Sequence, residues 1–178
     1  MAKKVLIISS SPRKDGNSEQ LCTEFMRGAK EAGNEAEMIS LRGKKMNFCL
    51  GCEVCQKNGG TCVHKDDVPE ILDQVLASDV LVLATPVYYY DFSAQMKTVI
   101  DRTFAKVGAI QDKEAYLLMT GASTSKEDMS VLVSSFHGFI GCFKNVVDKG
   151  VIYGTGAMGK GELGKDKLTA AYEMGKSV

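Results

Sequence analysis

KVLIISSSPRKDGNS, residues 4–18, holds three pieces in a telling order. Lys4 to Ser9 is an unbroken apolar run, the signature of a strand covered on both faces rather than one. Ser9 to Ser18 is short and polar, with three consecutive serines, a proline, two cations and a glycine. Asn17 and Ser18 are good N-cap types, and from Asn17 to Ala32 the residues Leu21, Cys22, Phe25, Met26 and Ala29 share one helical face. Strand, polar loop and helix in that order place the free N–H groups and partial positive charge of a helix start directly after a buried strand. That is a natural anion site. The hydroxyls of Ser9, Ser11 and Ser18 and the Arg13 guanidinium can complete a phosphate cradle.

Outward from this segment the same alternation repeats. Gly33 and Asn34 end the helix, and Glu35 to Leu41 alternates as an edge strand does. Later strands are expected over Asp79–Ala84, Glu114–Met119 and Val146–Tyr153. Helices are expected over Val68–Ala77, Ser93–Val107, Glu127–Phe143 and Asp166–Gly175. Strict alternation implies an α/β three-layer sandwich, a five-stranded parallel sheet with right-handed crossovers; the order 2-1-3-4-5 is the commonest five-stranded arrangement and is the one expected. The 178 residues suit a single domain, 1–178.

In such a sheet ligands sit at the carboxyl ends of the strands near the switch point, in the loops after strands 1, 3 and 4. The loop after strand 3, Thr85 to Phe92, reads TPVYYYDF, with four aromatics in five residues that can wall a planar ring. Some of them are expected to pack beneath the loop instead. The loop after strand 4, Thr120-Gly121-Ala122-Ser123, is small and lets backbone approach a ring edge.

Twenty-two basic and 22 acidic residues cancel to a net charge of zero, which argues against nucleic acid as a partner. No apolar run is long enough to span a bilayer, and the N-terminus lacks the pattern of a signal peptide, so the expected setting is cytoplasmic, without membrane contact. Of six cysteines, Cys22 and Cys142 fall on apolar helix faces. The other four, Cys49, Cys52, Cys55 and Cys62, crowd into the aperiodic stretch Arg42–Asp67, and such crowding in a reducing compartment points to metal or redox chemistry.

Taken together, SSSPRKDGNS (9–18), TPVY (85–88) and SAQMKTVIDR (93–102) resemble the NADPH-dependent FMN reductase branch of the flavodoxin-like flavoproteins. The resemblance covers nearly the whole chain. It implies non-covalent FMN, reduction by NADPH or NADH, and a homodimer or homotetramer. Carried over residue by residue, it puts Ser9, Ser11, Arg13, Asn17 and Ser18 on the phosphate. It puts Thr85, Pro86, Val87 and Tyr88 against the isoalloxazine, Thr120 and Gly121 on its other side, and Asp101 and Arg102 near the subunit interface. The spacing Cys49-x2-Cys52-x2-Cys55-x6-Cys62 is similar to the compact motif of the iron–sulfur flavoproteins, which implies a [4Fe–4S] cluster on those four residues. A zinc site, which usually uses two separated pairs, ranks lower.

The implied activity is an FMN-dependent NAD(P)H oxidoreductase passing electrons to a small-molecule acceptor such as a quinone or flavin. Two other readings stay open: an iron–sulfur flavoprotein or flavodoxin-type carrier exchanging electrons with ferredoxin, and a redox sensor using the clustered thiols. Two further motifs are set aside. Gly154 to Gly159 fits a dinucleotide fingerprint but follows the last strand instead of the first, and is read as a flexible loop that flanks the flavin of a neighbouring subunit. Asp66 and Asp67 are read as caps of the helix starting near Val68. His64 is read as a solvated loop residue, His137 as a surface or packing one.

Overall fold

The computed structural model describes residues 1–178. Its centre is a sheet of five parallel strands: β1 (Lys4–Ser9), β2 (Glu35–Ser40), β3 (Val80–Pro86), β4 (Gln111–Thr120) and β5 (Lys144–Gly154). Their order is β2-β1-β3-β4-β5, the arrangement expected as the commonest for five such strands. The helices are α1 (Asn17–Glu31), α2 (Val54–Lys57), α3 (Val68–Ala77), α4 (Ala94–Arg102), α5 (Ser130–Ile140) and α6 (Lys165–Lys176).

Alternation along β1 explains the layers. Val5 and Ile7 point to one face, where they meet Leu21, Phe25 and Ala29 of α1 and Ala171 of α6. Leu6 and Ile8 point to the other, where Ile71 of α3, Met96 of α4 and Leu132 and Phe136 of α5 cover them. All four are essentially inaccessible to water. Since both faces are covered, the run has no polar position to alternate with, which is why it reads as continuous.

Two elements are shorter than the periodicity predicts. The expected helix 93–107 is α-helical only to Arg102 and closes in a 3-10 turn over Thr103–Lys106. The expected helix 127–143 starts as a 3-10 turn and is α-helical only over Ser130–Ile140. Hydrophobic spacing marks the buried face; it does not mark where the hydrogen bonds tighten. The turn of helix α2, inside the cysteine stretch, has no periodic signal to find.

Helices α1 and α6 approach through two glycines. A Cβ on Gly28 would lie 2.1 Å from the carbonyl oxygen of Tyr172, and one on Gly175 would lie 2.0 Å from that of Phe25. No helix in the structure is long and apolar enough to cross a membrane.

Candidate functional site

At the carboxyl ends of β1, β3 and β4 a cleft of about 230 Å³ opens between the three predicted loops. Ser11, Arg13, Asn17, Ser18, Pro86, Val87, Tyr88, Thr120 and Gly121 all line it. The cleft exists because α1 begins there. Gly16 is its N-cap residue, no side chain caps it, and its first N–H groups are left without intrahelical partners. The expected N-cap types Asn17 and Ser18 stand one and two residues too late to serve. Gly16 itself is packed into the loop: a Cβ there would sit 2.9 Å from Ser11 Oγ and 3.1 Å from the Arg13 carbonyl oxygen. Ser11 Oγ in turn accepts from Arg13 N–H at 3.3 Å. The loop is therefore folded tightly onto itself, with the Ser11 hydroxyl donating to the Arg13 carbonyl at 3.2 Å and the Arg13 side chain exposed at its rim. Free helix N–H groups, hydroxyls and a guanidinium are the donor set a phosphate monoester takes.

Ser18 Oγ and Thr120 Oγ1 share a buried hydrogen bond of 2.7 Å, joining the start of α1 to the end of β4. Val87 N–H donates to the Thr120 carbonyl at 2.7 Å, so the loops after β3 and β4 are tied at the floor of the cleft. Gly121 is squeezed between Met129 and Val87.

Several residues stand differently from expectation. Ser9 does not line the cleft. It ends β1, is buried, and its hydroxyl faces Cys22. Burial pushes the Cys22 thiol up to about 12, so it stays protonated in the core. Thr85 is fully buried, and its hydroxyl donates to the Pro86 carbonyl at 2.8 Å while accepting from Ser93 N–H at 3.1 Å; it shapes the loop from beneath. Asn17 reaches the cleft, but its amide is engaged: Nδ2 donates to the Gly159 carbonyl at 2.7 Å, and Oδ1 accepts from Gly161 N–H at 2.9 Å.

These two bonds correct the reading of the glycine-rich loop. It folds back over the cleft of its own chain, where Ala157, Met158 and Lys160 join the lining. Lys160, 3.7 Å from Asp15, adds a cation that sequence reading missed. The only signal was its place after the last strand, which pairs with β4 at the edge of the sheet.

The aromatic loop splits. Phe92 turns into the core, Tyr88 borders the cleft, and Tyr89 and Tyr90 stand out in solvent. Tyr88 and Asp91 exchange backbone hydrogen bonds of 3.0 and 3.1 Å, closing a two-residue turn in which Tyr89 and Tyr90 both have positive φ, 49° and 68°. Glycine and asparagine favour that geometry; tyrosine does not.

A larger hollow of about 600 Å³, between Lys30, Glu35 and Gln74, lies at the amino ends of the strands. That end of such a sheet is not where its ligands bind.

The cysteine stretch stands beside α4 as an exposed loop. Arg102, expected near a subunit interface, is interior. Its Nη1 donates to the Asn47 carbonyl at 2.8 Å and to Asp66 Oδ2 at 2.9 Å, and its Nη2 donates to Asp66 Oδ1 at 3.1 Å. Both side chains are only 2% exposed. Asp66 also accepts from the N–H groups of Asn47 and Val68, so it does cap α3 while serving chiefly as the partner of Arg102. Burial alone would raise its pKa; the Arg102 guanidinium and the two N–H groups outweigh this and hold the carboxyl well below the usual range. Asp67 accepts from Lys45 N–H at 2.8 Å instead of capping the helix. Asp101 is exposed and paired with Lys97 at 2.6 Å. His64 Nε2 bonds the Phe48 carbonyl at 2.9 Å, a second tie across the loop, and His137 pairs with Asp148.

The four cysteines are free thiols in this one loop, but no three His, Cys, Asp or Glu side chains stand together in a geometry that would hold a metal. The gathering of thiolate ligands is coupled to metal binding. In type and number the donors fit a thiolate-bound cluster, and three sulfurs already face polar N–H groups: Gly51 N–H donates to Cys49 Sγ at 3.5 Å, Gln56 Nε2 to Cys55 Sγ at 3.8 Å, and the Arg102 guanidinium lies beside Cys62.

A doubly covered parallel sheet of this order, with a phosphate-type helix start opening into a cleft at the carboxyl ends of β1, β3 and β4, is the architecture of the flavodoxin-like flavin-binding proteins. Residues 3–151 match the family model described as NADPH-dependent FMN reductase, and the chain belongs to that family, within its iron–sulfur flavoprotein-like group. It is 35% identical to an iron–sulfur flavoprotein of Methanocaldococcus jannaschii over 98% of this chain and 95% of that one. An iron–sulfur flavoprotein of Archaeoglobus fulgidus is 31% identical over 98% of this chain and 78% of its own. Among solved structures, the NAD(P)H:quinone oxidoreductase from Methanothermobacter marburgensis superposes with a TM-score of 0.80 at 21% identity, over 99% of this chain and 96% of that one, a likeness of fold. Membership makes the chain an FMN-dependent NAD(P)H oxidoreductase.

Proposed function

We propose that the cleft between Ser11 and Thr120 is the FMN site, and that this chain, as one domain over residues 1–178, passes electrons from NAD(P)H to a small planar acceptor such as a quinone or free flavin. The observation that carries this is the uncapped start of α1 opening into the cleft beside Arg13. The N–H groups at Asn17 and Ser18, with Ser11, Arg13 and Lys160, bind the phosphate. Pro86, Val87 and Tyr88 take one side of the ring, and Thr120 and Gly121 the other. Ser9, Thr85 and Asn17 support the site from beneath and behind. Bound FMN supplies the two-electron chemistry. The protein binds it and orients it in the cleft, where donor and acceptor reach it in turn.

Anaerobic mixing of the FMN-loaded chain with NADPH, and separately with NADH, tests this. Bleaching of the flavin band by at least one is expected, followed by re-oxidation on adding a quinone. Absence of bleaching by both rejects the reading.

A second reading is favoured by the cysteine loop and by the two archaeal relatives: Cys49, Cys52, Cys55 and Cys62 hold a [4Fe–4S] cluster that exchanges electrons with a ferredoxin. Iron and sulfide assays on anaerobically purified chain decide it; less than one iron per chain rejects it. The exposed turn at Tyr89 and Tyr90 beside the cleft supports assembly as a homodimer or homotetramer, read by light scattering. Six unpaired thiols support a reducing, cytoplasmic setting, checked by fractionation.

A further inference from the structure

Arg102 closes the neck of the cysteine loop. Its Nη1 and Nη2 bind Asn47, two residues before Cys49, and Asp66, four residues after Cys62. Gln56 Nε2 adds a strut from inside the loop to the Phe104 carbonyl at 2.5 Å, just past the end of α4. Three of the guanidinium's donors are thereby spent. One nitrogen is not: Nε of Arg102 is buried and has no hydrogen-bond partner, the only buried side-chain nitrogen or oxygen in the chain of which this is true. A buried N–H of a charged group without a partner is costly, because it has given up water and gained no bond in return. The Cys62 thiol stands beside this guanidinium.

We propose that Arg102 is the positioning residue of the cysteine loop: its Nη groups fix the loop's neck, and its Nε–H is reserved for the sulfur of Cys62 when that sulfur is a cluster ligand. The inference rests on the iron–sulfur reading above. A protonated thiol is a poor acceptor, whereas a metal-bound thiolate is negative and accepts well, so the bond forms when the ligand does. Tethering the Cys62 sulfur to a residue of α4 gives the other three cysteines, Cys49, Cys52 and Cys55, a fixed point to close around. An N–H donated to a ligand sulfur also stabilises the more negative, reduced cluster and so raises its potential. Asp66 has the complementary task. It balances the buried cation and, by taking a hydrogen bond from each Nη, fixes the plane of the guanidinium.

The test uses the full chain, purified anaerobically and reconstituted with iron and sulfide. Arg102→Lys keeps a cation for Asp66 and removes Nε. The double variant Arg102→Gln/Asp66→Asn removes both charges and Nε while leaving a neutral hydrogen-bonding pair, and it decides the matter should the lysine variant not fold. Bound FMN reports folding in each. Expected are normal FMN content, a cluster potential more negative than in the wild type, and iron loss to a chelator about tenfold faster. Variants with FMN bound and an unchanged potential and rate of iron loss overturn the role of Arg102 and leave the cluster reading standing. A wild-type chain that takes up FMN but less than one iron overturns both.

Discussion

The hydroxyls of Ser18 and Thr120 lie 2.7 Å apart across 102 residues of chain. One belongs to the first turn of α1, the other to the last residue of β4, and their bond sets the width of the cleft at its phosphate end. Because either oxygen can be the donor, each keeps a lone pair or a proton for a ligand. Ser18→Ala and Thr120→Val are each expected to weaken FMN binding about tenfold, the equivalent of about 1.4 kcal/mol. Combined, they are expected to cost less than the product of the two, because they remove the same bond. Quenching of FMN fluorescence on titration into the apoprotein measures all three.

Gly28→Ala is expected to destabilise the fold by about 3 kcal/mol, through the contact of α1 with α6. The added methyl meets a backbone carbonyl, which cannot rotate away as a side chain can. Urea denaturation reads the loss. FMN affinity per folded molecule is expected to stay unchanged, since the contact lies at the far end of α1 from Gly16.

Asp66→Ala leaves the Arg102 cation buried and unpaired, and is expected to cost about 3–5 kcal/mol at neutral pH. The cost depends on pH with a defined sign. The folded carboxyl holds its proton less readily than the ordinary aspartate at 3.8, so the contribution is complete above that value and drains away as pH falls through and below it. Urea midpoints of wild type and variant are expected to differ by a constant amount from pH 7 to about pH 5 and to converge in stronger acid. A gap that does not narrow in acid would count against the ion pair as the cause.

The turn at Tyr89 and Tyr90 holds two bulky residues in the left-handed region. Tyr89→Asn with Tyr90→Gly supplies the residues that geometry prefers and is expected to raise the stability of the apoprotein by about 1 kcal/mol. In a chain of this size that is a shift of about 2–4 °C in melting temperature. Turnover with a quinone acceptor is expected to fall, because strain of this kind is retained where the side chains are used.

What could be read directly was whatever repeats or stands close in sequence. The apolar run at Lys4–Ser9 and its successors determined the sheet and its two covered faces, because burial on both sides leaves no polar position in a strand; the strand order followed from the commonest topology for five such strands. The loops at Ser11–Ser18, Pro86–Tyr88 and Thr120–Gly121 were legible for the same reason: in this topology the carboxyl ends of neighbouring strands must lie together. Tertiary structure alone decided how the individual side chains were used. It spent Asn17 on the glycine-rich loop, turned Ser9 toward Cys22, and brought Lys160 over a cleft formed mainly by residues far earlier in the chain. It also buried Arg102 against Asp66, where the resemblance had implied a residue near a subunit interface and the sequence a helix cap. Such pairings follow from distances across the fold, not along the chain. The loop from Ser9 to Ser18 thus announces that an anion binds; which of its serines can reach that anion is settled by the packing of α1 against β1 and β4.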